Sequence, residues 1–145
     1  MEYEVIDDGC NTFVVDMKVD ENPKERFGNL KVPLSCVPAP VLMEIGAGML
    51  EGSIKYGRHN YRESRIKAST YYDAVMRHMM QWWEGEDIDA DSGLSHVTKA
   101  ICSLVVLRDQ MLAGTIIDDR PPKCDPEWIN DISKLAQAIR ERHDQ

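Results

Sequence analysis

The sequence predicts an all-α fold, a bundle of four helices preceded by a short N-terminal arm able to form a β-hairpin, with its core completed by oligomerisation. Three observations carry this expectation. Apolar residues recur at three- and four-residue spacing in four separate stretches. Strand-like residues are confined to the first few positions, and 145 residues suffice for one compact domain and no second. The apolar stripes are wide for so short a chain, which is why another copy is expected to cover part of them. The expected division is an arm over 1–37, a helical core over 38–122 and a C-terminal helix over 123–145.

In the arm, Tyr3–Ile6 and Thr12–Met17 read as two short strands around Asp7-Asp8-Gly9, followed by a charged segment punctuated by Pro and Gly. The first helix is expected over about 40–56, with Pro40 suited to a first turn, Val41, Leu42, Met43, Ile45, Met49 and Leu50 as apolar surface, and Gly57 as its stop. A polar loop, Arg58–Lys67, leads to a second helix over about 69–84, where Ser69 is a candidate N-cap and Tyr72, Val75, Met76, Met79 and Trp83 form a stripe. Ser92-Gly93 would open a third helix, 94–113, burying Leu94, Val97, Ile101, Leu104, Val105 and Leu112 before Gly114 ends it. The last, about 126–142, carries Trp128, Ile132, Leu135 and Ile139 on one face.

Composition narrows the functional classes. Hydrophobic residues make up 43% and charged residues 29%, as in ordinary globular chains. Seventeen Lys and Arg against 25 Asp and Glu give a net charge of −8, which disfavours non-specific binding to nucleic acid or an anionic membrane. A phosphate-bearing partner would therefore need a local basic patch or metal ions. Cys10, Cys36, Cys102 and Cys124 form no CxxC pair, so neither a zinc site nor a disulfide framework is suggested. The N-terminus is acidic, lacks a signal-like apolar stretch, and no run approaches the roughly 20 apolar residues of a membrane span. A cytoplasmic protein is expected.

The chemistry concentrates in three places. Glu84, Glu86, Asp87, Asp89 and Asp91 put five carboxylates into eight positions at the C-terminal end of a predicted helix, where the helix dipole disfavours anions. Clustered carboxylate oxygens suit a hard divalent cation, and a solvated acidic turn is the alternative. An EF-hand does not fit, because the turn glycine, Gly93, is one position late and Thr98 stands where a bidentate Glu is required. Glu44 and Glu51 lie seven residues apart, on one face of a helix, with Gly46, Gly48 and Gly52 around them. Each such glycine costs about 1 kcal/mol relative to Ala, so close approach of another backbone or of a ligand is expected there. Lys55, Arg58, Arg62, Arg65 and Lys67 oppose the single Glu63 across 55–67, with Tyr56, His59, Asn60 and Tyr61 interleaved. No Walker A, HExxH or GxSxG pattern is present, which leaves metal-assisted chemistry as the best-supported enzymatic class.

Taken together, EGSIKYGRHNYR at 51–62, ASTYYDA at 68–74, Arg77-His78, WWEGEDID at 82–89 and SGLSH at 92–96 resemble the phage dATP/dGTP diphosphohydrolase family, over about Val37 to Pro122. The resemblance implies a MazG-like all-α pyrophosphohydrolase that cleaves a nucleoside triphosphate to the monophosphate and pyrophosphate with Mg²⁺ or Mn²⁺. It further implies a supply of dGMP from dGTP in a phage that replaces adenine by 2-aminoadenine. The MazG-like group carries ExxE on one helix and ExxD on another. Here ExxD occurs as Glu84–Asp87 and as Glu86–Asp89, of which we favour the second, while Glu44 and Glu51 do not match ExxE.

On this reading Glu44, Glu51, Glu86 and Asp89 bind the metal ions, and Glu51, Glu86 and Asp89 are catalytic, with Glu51 orienting the attacking water. Lys55 and Arg77 hold phosphate oxygens. Asn60, Tyr61, His78 and His96 complete the set of substrate contacts. The expected partners are a purine deoxynucleoside triphosphate and further copies of the chain, a dimer or tetramer, with neither nucleic acid nor membrane. Two alternatives stand beside this: a house-cleaning pyrophosphohydrolase for another nucleotide, and a non-catalytic acidic metal-binding module.

Overall fold

A computed structural model of the chain describes residues 3–7, 9, 12–16 and 22–143. It is helical apart from an N-terminal hairpin, as the apolar periodicity requires. Strands β1 (Tyr3–Asp7) and β2 (Thr12–Asp16) pair antiparallel with Val5 opposite Val14. Asp8, Cys10 and Met17, which the sequence reading also placed in this arm, lie outside the described residues. Helix α1 (Pro23–Asn29) was not anticipated, although its signal is present in Asn22-Pro23. The Asn22 side chain accepts from the Lys24 amide, and Pro occupies the first turn, where no amide partner is needed.

Helix α2 (Ala39–Tyr56) and a one-turn helix α3 (Asn60–Glu63) follow, then α4 (Ala68–Trp83), α5 (His96–Ala113) and α6 (Trp128–His143). The contacts divide the chain into two compact units, Met1–Gly46 and Ala47–Gln145. The first holds the hairpin, α1 and the opening turns of α2. The second contains α3 to α6 and the network of charged residues described below.

Within the second unit α4 and α5 form the principal packed pair, and α3 leans on α5. The entry to α4 is tied to the chain beyond α5 by a parallel bridge: Ala68 donates its amide to the Ile117 carbonyl at 3.0 Å and Ile117 to that of Ile66 at 2.8 Å. Ser69 does not cap α4 with its own hydroxyl. The bridge brings Asp119 to the helix start, and its carboxylate accepts both the Ser69 amide (2.9 Å) and the Ser69 hydroxyl (2.5 Å). A carboxylate satisfies an orphan amide there better than a hydroxyl, because it also meets the positive end of the helix dipole.

Helix α5 likewise starts later than Ser92-Gly93. Those residues form a turn whose bridge joins Ile88 to Ser95, and the Ser95 hydroxyl accepts from the Val97 amide as the N-cap. Gly114 closes the helix in a left-handed conformation, φ 68°. Its buried face corrects the expectation. His96, Thr98, Ala100, Cys102, Val106 and Gln110 are buried, whereas Leu104, Val105 and Leu112 of the anticipated stripe are exposed. Small and polar side chains let α5 approach its neighbours closely, and the bulky aliphatic stripe is turned outward. On α6, Trp128, Ile132, Leu135 and Ile139 are each about half exposed, and no residue of that helix is buried.

Candidate active site

Gly48 fixes the geometry from which the site grows. A Cβ at this position would lie 2.5 Å from the Cys102 sulfur, so only glycine permits α2 to come this near to α5. Gly46 and Gly52 meet nothing within 4 Å and serve no such approach. Three residues beyond Gly48 on α2 is Glu51; three residues before Cys102 on α5 is Lys99. Their side chains meet in an ion pair between Lys99 Nζ and Glu51 Oε2, both about four-fifths buried.

The network extends to the acidic turn. Lys55, one turn further along α2, places Nζ 2.6 Å from Glu51 Oε1 and 2.7 Å from Asp91 Oδ2. The order Lys99, Glu51, Lys55, Asp91 thus alternates in charge, each carboxylate meeting an ammonium. Partial burial pulls the Glu51 carboxyl upward, but the hydrogen bonds and charges of Lys55 and Lys99 outweigh it and hold it below the ordinary range. Bonds to Asp91 and Glu51 raise Lys55 well above the usual lysine value. Lys99 and Asp91 were missed as site residues at the sequence level. Asp91 was visible only as one of five clustered acids, and nothing local marks a lysine on an apolar helix as the partner of a glutamate 48 residues away.

Asp89 is held by its own turn. It accepts the Ser92 hydroxyl at 2.5 Å and the Ser92 amide at 3.2 Å, and those bonds, led by the hydroxyl, lower its pKa against the effect of partial burial. The Lys99 charge also lowers the Asp89 pKa, as it does that of Glu51. The backbone closes the turn: Asp89 donates to the Leu94 carbonyl at 2.8 Å and His96 to that of Asp87 at 3.0 Å. Glu86 is half exposed, accepts from the Gln81 amide group at 3.2 Å, and lies 3.6 Å from His96 Nε2.

His96 is wholly buried and shares a hydrogen bond of 2.9 Å, Nδ1 to Nδ1, with His78. Burial first, and then the His96 ring, push the His78 pKa down. With no exposed surface, His96 forms part of the wall of the acidic turn. Arg77 is exposed on α4. Asn60 and Tyr61 belong to α3, which is pinned to α5 by the two bonds of the Arg62 guanidinium to Asp109, 2.9 and 2.6 Å. Among the described residues, no hydrogen bond or ion pair joins Arg77, Asn60 or Tyr61 to Glu51, Glu86 or Asp89.

Of the anticipated metal ligands, Glu51, Glu86 and Asp89 lie in the second unit. Glu44 falls in the first unit, and among the described residues no three His, Cys, Asp or Glu side chains group to hold a metal ion. Glu51 is paired with two lysines in place of other acids, because uncompensated carboxylates in a partly buried cleft repel. Beside the turn, Met79, Met80, Trp82, Trp83 and Glu84 line an open, largely apolar recess. Among the described residues Cys36 and Cys124 are free thiols, and no helix is long and apolar enough to cross a membrane.

Comparison with known proteins locates this arrangement. The chain is 29% identical over 117 residues, 81% of its length, to a dATP/dGTP diphosphohydrolase of Salmonella phage PMBT28. It spans 36% of that relative's length. No solved structure matches. The family model described as dATP/dGTP diphosphohydrolase, N-terminal, matches residues 21–120, so the similarity begins before α1, well ahead of the boundary that the motifs suggested, and ends before α6. Every residue of the alternating network lies within that span, and the chain belongs to the dATP/dGTP diphosphohydrolase family by its N-terminal region.

Proposed function

We propose that the chain is a metal-dependent nucleotide pyrophosphohydrolase that converts dGTP, and dATP or GTP as further substrates, to the monophosphate and pyrophosphate. The observation that carries this reading is Lys55 Nζ between Glu51 and Asp91: two hard carboxylate donors already converge on one cationic centre. A divalent ion such as Mg²⁺ or Mn²⁺ fits that donor set, since it characteristically takes one or two protein carboxylates and completes its shell with water and phosphate oxygens. Glu51 and Asp91 would hold it, with Asp89 and Glu86 on the adjoining turn. When bound, the ion supplies charge for the phosphates and lowers the pKa of water.

The chain's own groups do the rest. Glu51, its pKa held low, is ionised at neutral pH and can accept a hydrogen bond from the attacking water, orienting it toward the α-phosphorus. Lys55 and Lys99 are ammonium groups that can transfer from carboxylate to phosphate oxygens as charge moves to the leaving pyrophosphate. Arg77 and the α3 residues Asn60 and Tyr61 would serve substrate held further from the network, with His78 positioned through His96. The recess at Trp82 and Trp83 offers apolar and aromatic surface to a purine ring.

Homo-oligomers would cover the exposed stripes of α4 and α5, such as Tyr72, Met76, Leu104 and Leu112. In a phage that carries 2-aminoadenine, working in the host cytoplasm, the product dGMP would feed its synthesis.

The test is to incubate the pure protein with Mg²⁺ or Mn²⁺ and each common triphosphate and to resolve products by anion exchange. Monophosphate with pyrophosphate, abolished by Glu86→Gln in a folded protein, is the expected result. Diphosphate with phosphate, or no product from any nucleotide, overturns it.

A further inference from the structure

His96 Nε2 is a buried polar atom without a hydrogen-bond partner, and it faces the acidic turn. Glu86 Oε1 is its nearest charged neighbour at 3.6 Å, too far for a hydrogen bond. The other ring nitrogen is engaged: Nδ1 lies 2.9 Å from His78 Nδ1, and one proton must sit between them. If His78 supplies that proton, neutral His96 carries its own on Nε2, where no acceptor is within reach. If His96 supplies it, Nε2 presents a bare lone pair toward a carboxylate. Either arrangement of the neutral ring leaves this atom unsatisfied, at a cost of about 1–3 kcal/mol.

A cation between Nε2 and Oε1 removes the conflict. Two ligands each at roughly 2.0–2.2 Å from one ion can stand as far apart as about 4 Å, so the observed separation admits an ion with little movement. It also selects the second arrangement, in which His96 Nδ1–H donates to His78. A metal-bound imidazole ordinarily donates its remaining N–H to an acceptor in this way, and here the acceptor is another imidazole. Glu86 is half exposed, so the ion is reached from solvent through its side chain.

We propose that His96 Nε2 and Glu86 form a mixed nitrogen and oxygen site for a divalent transition-metal ion, separate from the all-oxygen Glu51 and Asp91 pair. Imidazole favours manganese, cobalt or zinc over Mg²⁺, which prefers oxygen ligands and water. The inference shares Glu86 with the hydrolase reading and otherwise stands on this geometry.

The test uses Mn²⁺ alone with the intact chain. Titration followed by electron paramagnetic resonance gives the affinity, and pulsed measurement of the bound ion reports whether a ¹⁴N nucleus is coordinated. We expect nitrogen coupling in the natural protein, its loss in His96→Gln, and binding at least about tenfold weaker in Glu86→Gln. Nitrogen coupling that survives His96→Gln refutes the assignment, as does bound Mn²⁺ without such coupling or no Mn²⁺ binding. Because the first readout needs no substitution, a misfolded His96 variant does not block the test. Nitrogen-coupled Mn²⁺ in a protein that hydrolyses no nucleotide would sink the hydrolase reading and uphold this site.

Discussion

Gly48→Ala probes the contact on which the site's geometry rests. The added Cβ would sit 2.5 Å from Cys102 Sγ, and ordinary contact begins at 3.4 Å, so the Cys102 side chain or the two helices must shift by about 1 Å. Overpacking of this kind typically costs about 1–3 kcal/mol. Alanine returns about 1 kcal/mol through its better helix propensity. The net expectation is a loss of up to about 2 kcal/mol, read as a lowered urea midpoint at unchanged slope. In a Cys102→Ala background the sulfur is gone, and the same substitution should become neutral or stabilising by up to about 1 kcal/mol. This reversal of sign is the test, because a general intolerance of α2 to alanine would give the same sign in both backgrounds. Glu51 and Lys99 each lie three residues from the contact, so a displacement of about 1 Å should also lower nucleotide turnover by about 100-fold, with recovery in the double variant. Equal destabilisation in both backgrounds would refute the reasoning.

Glu51→Gln retains shape but removes the charge shared by Lys55 and Lys99; turnover should fall by about 10²–10⁴-fold while the circular-dichroism spectrum is retained. Asp119→Ala leaves the Ser69 amide without its acceptor, so the melting temperature should fall and amide exchange should quicken in the first turn of α4, whereas Asp119→Asn should restore part of both. Asp89 is held below the ordinary carboxylate range by Ser92. Its folded form therefore binds protons more weakly than its unfolded form, so its contribution to stability is complete above the ordinary range and disappears as pH falls through the depressed value. Melts taken downward from neutral pH should show this loss beginning below about pH 4, and Ser92→Ala should flatten it.

The helices were legible where sequence and local physics agree. The predicted 40–56 and observed Ala39–Tyr56 differ by one residue, because Pro40 and Gly57 punctuate both ends. Gly114 likewise stops α5 by the left-handed turn that glycine permits. The N-terminal boundaries of α4 and α5 were less legible for a specific reason. Ser69 has the chemistry of a cap, but the group at that helix end comes from Asp119, 50 positions later, and a local reading does not contain it. Ser92, Gly93 and Ser95 are all plausible openings for α5; the Ile88 to Ser95 bridge decides among them, and that bridge is a tertiary fact. Of the site, the residue types and the motif strings were visible, while the pairing was not. Five acids in eight positions do not reveal that Asp91 turns to Lys55 whereas Asp89 turns back on Ser92.

The buried face of α5 is the clearest departure from pattern, and it bears on function. A helix that had only to hold a core would bury Leu104, Val105 and Leu112; this one buries His96, Thr98 and Gln110 and keeps Lys99 four-fifths buried. Buried polar groups cost stability unless each is paired, and the pairing here is uneven. Lys99 has Glu51, and Gln110 accepts from the Thr115 hydroxyl at 2.8 Å, but Gln110 Nε2 and His96 Nε2 have no hydrogen-bond partner. Sequences break the hydrophobic pattern at a few positions, and those positions concentrate where chemistry is done. On α5 the break runs from His96 to Lys99, one turn facing the acidic residues 86–91 and Glu51. The exposure of Leu104, Val105 and Leu112 is then a consequence of the site: the helix gives its inner face to small and polar side chains, and its bulkier apolar residues must find cover elsewhere.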